Sequence, residues 1–365
     1  MTKLEALIRE MILETGPMSV EMYMSLALWH PQHGYYASKM PLGAEGDFIT
    51  APEISQMFGE LTGLWCIAVW EAMGAPSPFL LAELGPGRGT LMADALRAAH
   101  VEPRFLEALD LHLVEASETL REQQCSALKP SGLVPKWHKN PGELPEGPAI
   151  IIANEFFDCL PVRHFVRAKD GWHERLIGLD SEGHLCFGLA PGPEPALTLA
   201  GEPGEVLEAG FAAAEMMAAL AGRIAGQGGA LLAIDYGFEA PARGETLQAV
   251  RRHRFADPLR DPGEADLTAH VNFSSLAEAA RRAGAGVHGP VPQGEWLARL
   301  GIYERAAKLR QKADARQNAA IDAALLRLAG DGPHPPGVSM ARLFKALAVT
   351  APGLAVPPGF ETVPA

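Results

Sequence analysis

Cysteine is scarce in this chain of 365 residues, and its four examples, Cys66, Cys125, Cys159 and Cys186, form no C-x-x-C pair. That absence removes the usual thiolate metal clip and the paired-thiol redox motif. Apolar or helix-like neighbours predict reduced, buried small hydrophobes, the usage of a cytoplasmic protein. Long apolar runs are missing as well. None approaches the roughly 20 residues that a bilayer-spanning helix needs, so membrane insertion is not expected. Basic charge is in deficit: Lys and Arg number 31 against 44 Asp and Glu, a formal net charge of -13. Such a chain repels phosphate backbones, which speaks against nucleic acid as a partner, and it tolerates a cationic one. Met1 to Glu14 mixes acids with apolar residues. Neither a signal peptide nor an Arg-rich, acid-poor presequence is expected there.

What is present is an ordinary globular composition, 48% hydrophobic and 21% charged, long enough for one large domain with insertions or for two. Leu4, Leu7, Ile8, Met11 and Ile12 follow a helical period that Gly16-Pro17 stops. Ser19 is placed to cap a second helix reaching Trp29, and Ile54 to Met73 reads as a long helix with Ser55 near its start. From Phe79 onward short apolar runs alternate with helical patterns. Phe79 to Leu84, Leu109 to Val114, Leu133 to Trp137, Ala149 to Ala153 and Ala230 to Ile234 read as strands, with helices over Thr90 to Ala99 and Ser117 to Leu128. This alternation predicts an α/β fold with a parallel, doubly wound sheet. Val162 to Leu189 instead alternates polar and apolar residues between turn signals, and reads as an inserted antiparallel meander. Val206 to Ala225 reads as an alanine-rich helix, Ser274 to Ala283 as a capped helix, Trp296 to Leu328 as largely helical and Phe344 to Val349 as a last strand.

Three places carry chemistry. Glu83-Leu84-Gly85-Pro86-Gly87-Arg88-Gly89-Thr90 follows a strand and opens a helix, where glycines let the backbone pass close to a ligand and the helix presents free N–H groups. The third glycine comes one residue too early for a dinucleotide fingerprint, and an acid precedes the first. A carboxylate there suits a ligand with a cationic end, such as an ammonium or a sulfonium, better than a pyrophosphate. A bare strand-to-helix turn is the alternative. Glu115 ends the next strand, where an acid accepts from ribose hydroxyls in nucleotide-binding sheets or simply favours the following helix dipole. Asn154-Glu155-Phe156-Phe157-Asp158 leaves the fourth strand, at the edge where such sheets bind ligands. A helix start with a core phenylalanine pair is its plainer explanation.

With these in hand, Gly46-Asp47-Phe48-Ile49-Thr50-Ala51-Pro52-Glu53-Ile54-Ser55 resembles the N-terminal hallmark of the MidA family of S-adenosylmethionine-dependent methyltransferases. Glu83 to Leu91 resembles that family's cofactor motif, and Ala153 to Pro161 its N-E-F-F-D-x-L-P segment. Asp235-Tyr236-Gly237, Thr268 to Phe273 and His30-Pro31 with Gly34-Tyr35-Tyr36 fit as well, with Asn272 departing where an acid is expected. The family includes the mitochondrial arginine methyltransferase of complex I assembly. The resemblance implies a class I methyltransferase sheet, with an N-terminal helical region and Gly46-Asp47-Phe48 loop over 1–78 and a methyltransferase domain over 79–365. The latter would carry the β insertion at about 162–190 and a helical insertion at about 294–330.

It also implies a reaction and its residues. S-adenosylmethionine would lie against Gly85, Gly87, Gly89, Glu83 and Asn154, with its ribose on Glu115 and with Gly46, Asp47 and Thr50 in a loop that closes over it or only packs on the sheet. The acceptor would be an arginine of a protein, such as a subunit of the respiratory NADH dehydrogenase. Guanidinium is always charged and presents a planar fork, which a pair of carboxylates can grip. Glu155 and Asp158 are the first candidates, Asp235 and His270 the second. His30 and His33 have Pro31 between them and no acid or cysteine cluster nearby, so no metal site is expected. Competing readings are a methyltransferase for another residue or a small molecule, an assembly factor without chemistry, and a nicotinamide dehydrogenase, which the glycine spacing disfavours. The alanine-rich and C-terminal helices offer either a homodimer face or a cover for the sheet.

Overall fold

The computed structural model describes residues 1–38, 50–240, 243–330 and 339–361. They form two compact units. One is built from Met1–Phe48, Asp158–Glu215 and Ala240–Asn272, the other from Ile49–Phe157, Met216–Glu239 and Phe273–Ala365. The boundary expected at 78 falls within the second unit.

In the first unit the helix Lys3–Thr15 opens on Thr2, whose hydroxyl accepts from the Glu5 N–H at 3.0 Å, and ends at Gly16 with φ of 88°. Its Leu4, Ile8 and Ile12, spaced by four, enter a core with Tyr23, Leu28, Ile177, Leu247 and Leu267. Ser19 caps Val20–Trp29 by accepting from the Met22 N–H. The inserted meander exists as antiparallel strands Arg163–Arg167, Trp172–Leu179 and Leu185–Leu189. Val206–Ala209, expected to be helical, is a further strand paired with Arg163–Val166, and the helix begins only at Phe211. Ladder bonds to a waiting strand outweigh a weak local helix preference, and Gly210 separates the two elements.

The second unit contains the main sheet. Its strands are β1 (Phe79–Leu84), β2 (Leu109–Val114), β3 (Lys136–His138), β4 (Ala149–Asn154), β5 (Gly229–Phe238), β6 (Gly286–Pro292) and β7 (Phe344–Thr350). The spatial order is β6-β7-β5-β4-β1-β2-β3. Strands β1 to β5 run parallel, whereas β7 pairs antiparallel with both β5 and β6. This is the class I methyltransferase arrangement; the purely parallel sheet needs correction only at β7. β1 and β4 are wholly buried, as expected of strands covered on both faces. The order reverses between them, which opens the ligand crevice of a doubly wound sheet at their C-terminal ends.

Two helices frame that crevice: α1 (Gln56–Ala72), capped by Ser55, and α2 (Thr90–Ala98). They touch through Gly59 and Gly63. A Cβ at Gly63 would lie 2.5 Å from the Ala95 carbonyl oxygen, and one at Gly59 would lie 2.6 Å from the Asp94 Cβ. Glu60, between these glycines, binds Arg97 of α2 at 2.6 Å and Arg305 at 2.6 Å. Burial raises the Glu60 carboxyl, but both guanidinium groups more than offset this and hold it below its ordinary value. Trp65, Trp70, Phe79 and Phe105 fill the core beneath. Each such side chain contributes about 2 to 3 kcal/mol of burial.

No helix among the described residues is long and apolar enough to cross a membrane. Cys66 and Cys159 are buried as expected, but Cys125 is exposed and Cys186 half-buried. On the helix Glu118–Leu128 the inward stripe is Leu120, Gln124 and Leu128, which leaves Cys125 facing out.

Candidate functional site

The turn after β1 places Gly85, Gly87 and Gly89 at φ of 61°, 53° and 81°. All are left-handed values that other residues reach only with strain. The Gly85 N–H donates to the Val114 carbonyl at 3.0 Å and the Gly89 N–H to that of Pro86 at 2.8 Å, so the loop is tied to β2 and to itself before α2 begins. A side chain at Gly85 would reach Phe156 at 3.4 Å, and one at Gly89 would press on the Gln124 Cα at 3.3 Å. The result is a backbone-lined cradle ending at a helix N-terminus.

Glu83 sits just ahead of it, 3% exposed. Its Oε2 has no hydrogen-bond partner among the described residues. Burial pushes its carboxyl up to about 8. The Asn154 Oδ1 at the end of β4 is likewise buried without a partner among them. Two acceptors left unsatisfied beside a glycine cradle suit a ligand that carries donors and positive charge.

Glu115, one strand over, is anchored. Its N–H donates to the His138 carbonyl at 2.9 Å. Its Oε1 accepts from the Ser117 N–H at 2.8 Å and its Oε2 from Gln124 Nε2 at 3.2 Å. Burial raises its carboxyl above the usual range despite these donors.

Glu155 follows β4 in a left-handed conformation, φ of 51°. Its N–H donates to the Ile234 carbonyl at 2.8 Å, and its Oε1 accepts from the Ala51 N–H and Asn154 Nδ2, each at 3.2 Å. The turn is held by Asp235. Fully buried, Asp235 accepts at Oδ2 from the N–H groups of Phe156 and Phe157 at 3.1 and 3.0 Å, and at Oδ1 from that of Tyr236 at 2.9 Å. With both oxygens accepting from the backbone, Asp235 holds the turn that bears Glu155.

Thr50 stands at the N-cap of the short helix Ala51–Ile54, without a side-chain capping bond. Gly46 and Asp47 lie outside the described residues. Asp158 and His270 belong to the first unit. There the Asp158 carbonyl accepts from the Ala269 N–H at 2.9 Å, and the His270 N–H donates to Thr246 Oγ1 at 2.8 Å. Burial lowers the His270 imidazole below its ordinary value against the pull of Glu208. Among the described residues no group of three or more His, Cys, Asp or Glu is placed to hold a metal ion.

Sequence reasoning missed Gln124 and the clamp role of Asp235. A signal for Gln124 was available: it falls between Leu120 and Leu128 on the inward stripe of its helix, a polar residue at a core position.

Residues 61–291 match the family model of S-adenosyl-L-methionine-dependent methyltransferases. The chain belongs to that family. It is 38% identical over 329 residues to the protein arginine methyltransferase NDUFAF7, mitochondrial, of Homo sapiens, covering 83% of this chain and 74% of that one. It is 38% identical over 325 residues to the Drosophila melanogaster homolog, covering 80% and 74%. Among solved structures, a Burkholderia thailandensis protein bound to S-adenosyl-homocysteine superposes with a TM-score of 0.84 at 28% identity, over 98% of this chain and 93% of that one. The methyltransferase thus uses S-adenosylmethionine as its methyl donor. Its glycine cradle and its buried Glu83, whose Oε2 has no partner among the described residues, fit the amino-acid end of that donor.

Proposed function

We propose that this methyltransferase modifies an arginine of a protein acceptor, a subunit of a respiratory NADH dehydrogenase being the first to test. The observation that carries the reading is Glu155, an acidic residue held in a left-handed conformation just past the topological switch point. Strain of this kind concentrates where a side chain must be aimed. The curated relatives named above are called protein arginine methyltransferases, which supports the acceptor type.

The residues divide the work as follows. Glu83, with Asn154, faces the ammonium of the donor, and Gly85, Gly87 and Gly89 admit its methionine end. Glu115 accepts from the ribose hydroxyls. When bound, S-adenosylmethionine supplies a methyl group on a sulfonium, open to direct in-line displacement. The protein's task is then to hold a guanidinium nitrogen in line and relieve its charge. Glu155 takes that task, supported in position by Asp235. Thr50, at the N-cap of Ala51–Ile54, is a secondary candidate for a polar contact to the donor.

The test is incubation of the full chain with labelled S-adenosylmethionine and a purified respiratory NADH dehydrogenase, followed by mass spectrometry. Label on an arginine, lost in Glu155→Gln with donor binding kept, is expected. Label on lysine or on small molecules alone defeats the arginine reading. A parallel incubation with whole lysate that shows donor binding and no transfer to any component would instead indicate an assembly factor.

A further inference from the structure

Gln124 is the one polar side chain on the buried stripe of its helix, 0% exposed between Leu120 and Leu128. Leucine would serve packing there. A buried amide is retained at such a position only if its hydrogen bonds are worth more than its desolvation.

Those bonds have a fixed sense. Trp137 Nε1 donates to Gln124 Oε1 at 2.8 Å. An indole nitrogen can only donate, so the accepting atom must be the amide oxygen and the amide cannot be turned over. The NH2 group therefore points the other way. One hydrogen goes to the Gly87 carbonyl at 2.8 Å and the other to Glu115 Oε2 at 3.2 Å. Gln124 thus joins the middle glycine of the cradle to the acid after β2, beyond the last strand pair of Leu84 with Val114. Its helix comes this close because Gly89 has no side chain, as the 3.3 Å approach of a hypothetical Cβ to the Gln124 Cα shows. Glu115 is held from the same side by the Ser117 N–H at 2.8 Å, and Arg121 Nε donates to its carbonyl at 2.9 Å. Donors on both carboxylate oxygens, with the Ala116 N–H adding to those of Ser117 and Gln124, fix the rotation of the carboxylate.

We propose that Gln124 is a positioning residue for nucleoside recognition: it sets the Glu115 carboxylate to accept two vicinal ribose hydroxyls and holds the glycine turn in step with it. This rests on the reading that Glu115 binds the ribose. Gln124 touches neither donor nor acceptor, and its signature is selectivity for an intact ribose.

The experiment titrates S-adenosylhomocysteine and its 2′-deoxy and 3′-deoxy analogues into the full-length wild type, Gln124→Met and Gln124→Glu, with thermal melting as the check on folding. Wild type should prefer the intact ribose about tenfold or more, as expected for hydrogen bonds to a charged group. Gln124→Met should bind S-adenosylhomocysteine about tenfold more weakly and lose most of that preference. Gln124→Glu keeps the bond from Trp137 but places an oxygen against Glu115. Its affinity relative to wild type should recover as pH falls from about 8 to about 6, because a protonated carboxyl regains one donor.

A folded Gln124→Met that discriminates as wild type does overturns the inference, as does a flat Gln124→Glu to wild-type ratio across that pH range should Gln124→Met not fold. If wild type binds S-adenosylhomocysteine without regard to its hydroxyls, the ribose role of Glu115 falls and this inference with it. If wild type does not bind it at all, the cofactor pocket itself is misplaced.

Discussion

Two carboxylates are buried at the C-terminal rim of the same sheet and have opposite fates. Asp235, at 0% exposure near the end of β5, accepts from three backbone N–H groups. Glu83, at 3% exposure near the end of β1, has an oxygen with no partner among the described residues, and its carboxyl is pushed up to about 8. Burial alone does not tell a scaffold acid from a binding acid. The difference lies in who supplies the donors. Asp235 uses the chain's own amides to aim the turn that bears Glu155. Glu83 has no such donors at its Oε2 among the described residues, and in the proposed reading the donor's ammonium supplies them beside the glycine cradle.

The sharpest way to break this contrast is Asp235→Ala. It would strand two buried N–H groups and a part-buried one, each buried group worth about 1 to 3 kcal/mol, so a loss of about 2 kcal/mol or more and of methyl transfer is expected in denaturant unfolding and activity assays. A variant as stable as wild type would mean that the clamp is idle.

Glu83→Gln should act in the opposite sense on stability. Between the ordinary carboxyl range and about 8, the folded state holds a proton that the unfolded chain releases. Unliganded wild type therefore loses stability as pH rises through that window, by up to about 3 kcal/mol at neutral pH. Glu83→Gln should remove that slope, raise stability near neutrality, and weaken S-adenosylmethionine about tenfold or more. Wild-type stability flat over that window would show that Glu83 is not the uncompensated acid described.

A third variant lies on the turn that Asp235 governs. Glu155→Gly relieves a left-handed backbone but gives up the bonds its Oε1 accepts from Ala51 and Asn154, so stability should change by less than about 1 kcal/mol while transfer is abolished. Retained transfer would remove Glu155 from the reaction. The smallest signal is a heat: pairing Glu83 with the donor's ammonium lowers its pKa, so binding near neutrality should release up to about one proton. Calorimetry in buffers of different ionisation enthalpy reads this directly, and Glu83→Gln should show none of it.

The glycine turn, the acids Glu83, Glu115 and Glu155, the parallel core strands and the helix caps at Ser19 and Ser55 were all legible before any coordinates, as was the inserted meander. Each is written locally, as a period, a strand end or a breaker. The errors have physical sources. Val206–Ala209 joined a strand against its helical appearance because a partner strand offered ladder bonds. Cys125 faces out because its helix buries a different stripe.

Local chemistry was enough to determine a glycine turn after one strand and acids at the C-terminal ends of its neighbours, since turns and strand ends depend on near neighbours. The fate of each acid was decided only by tertiary contact. Asp235 meets amides about 80 residues distant, and Gln124 meets a carbonyl 37 residues away. Gly59 and Gly63 matter only because another helix lies against them. Whether a buried polar group is satisfied depends on partners brought from elsewhere in the chain, and a linear pattern does not record them.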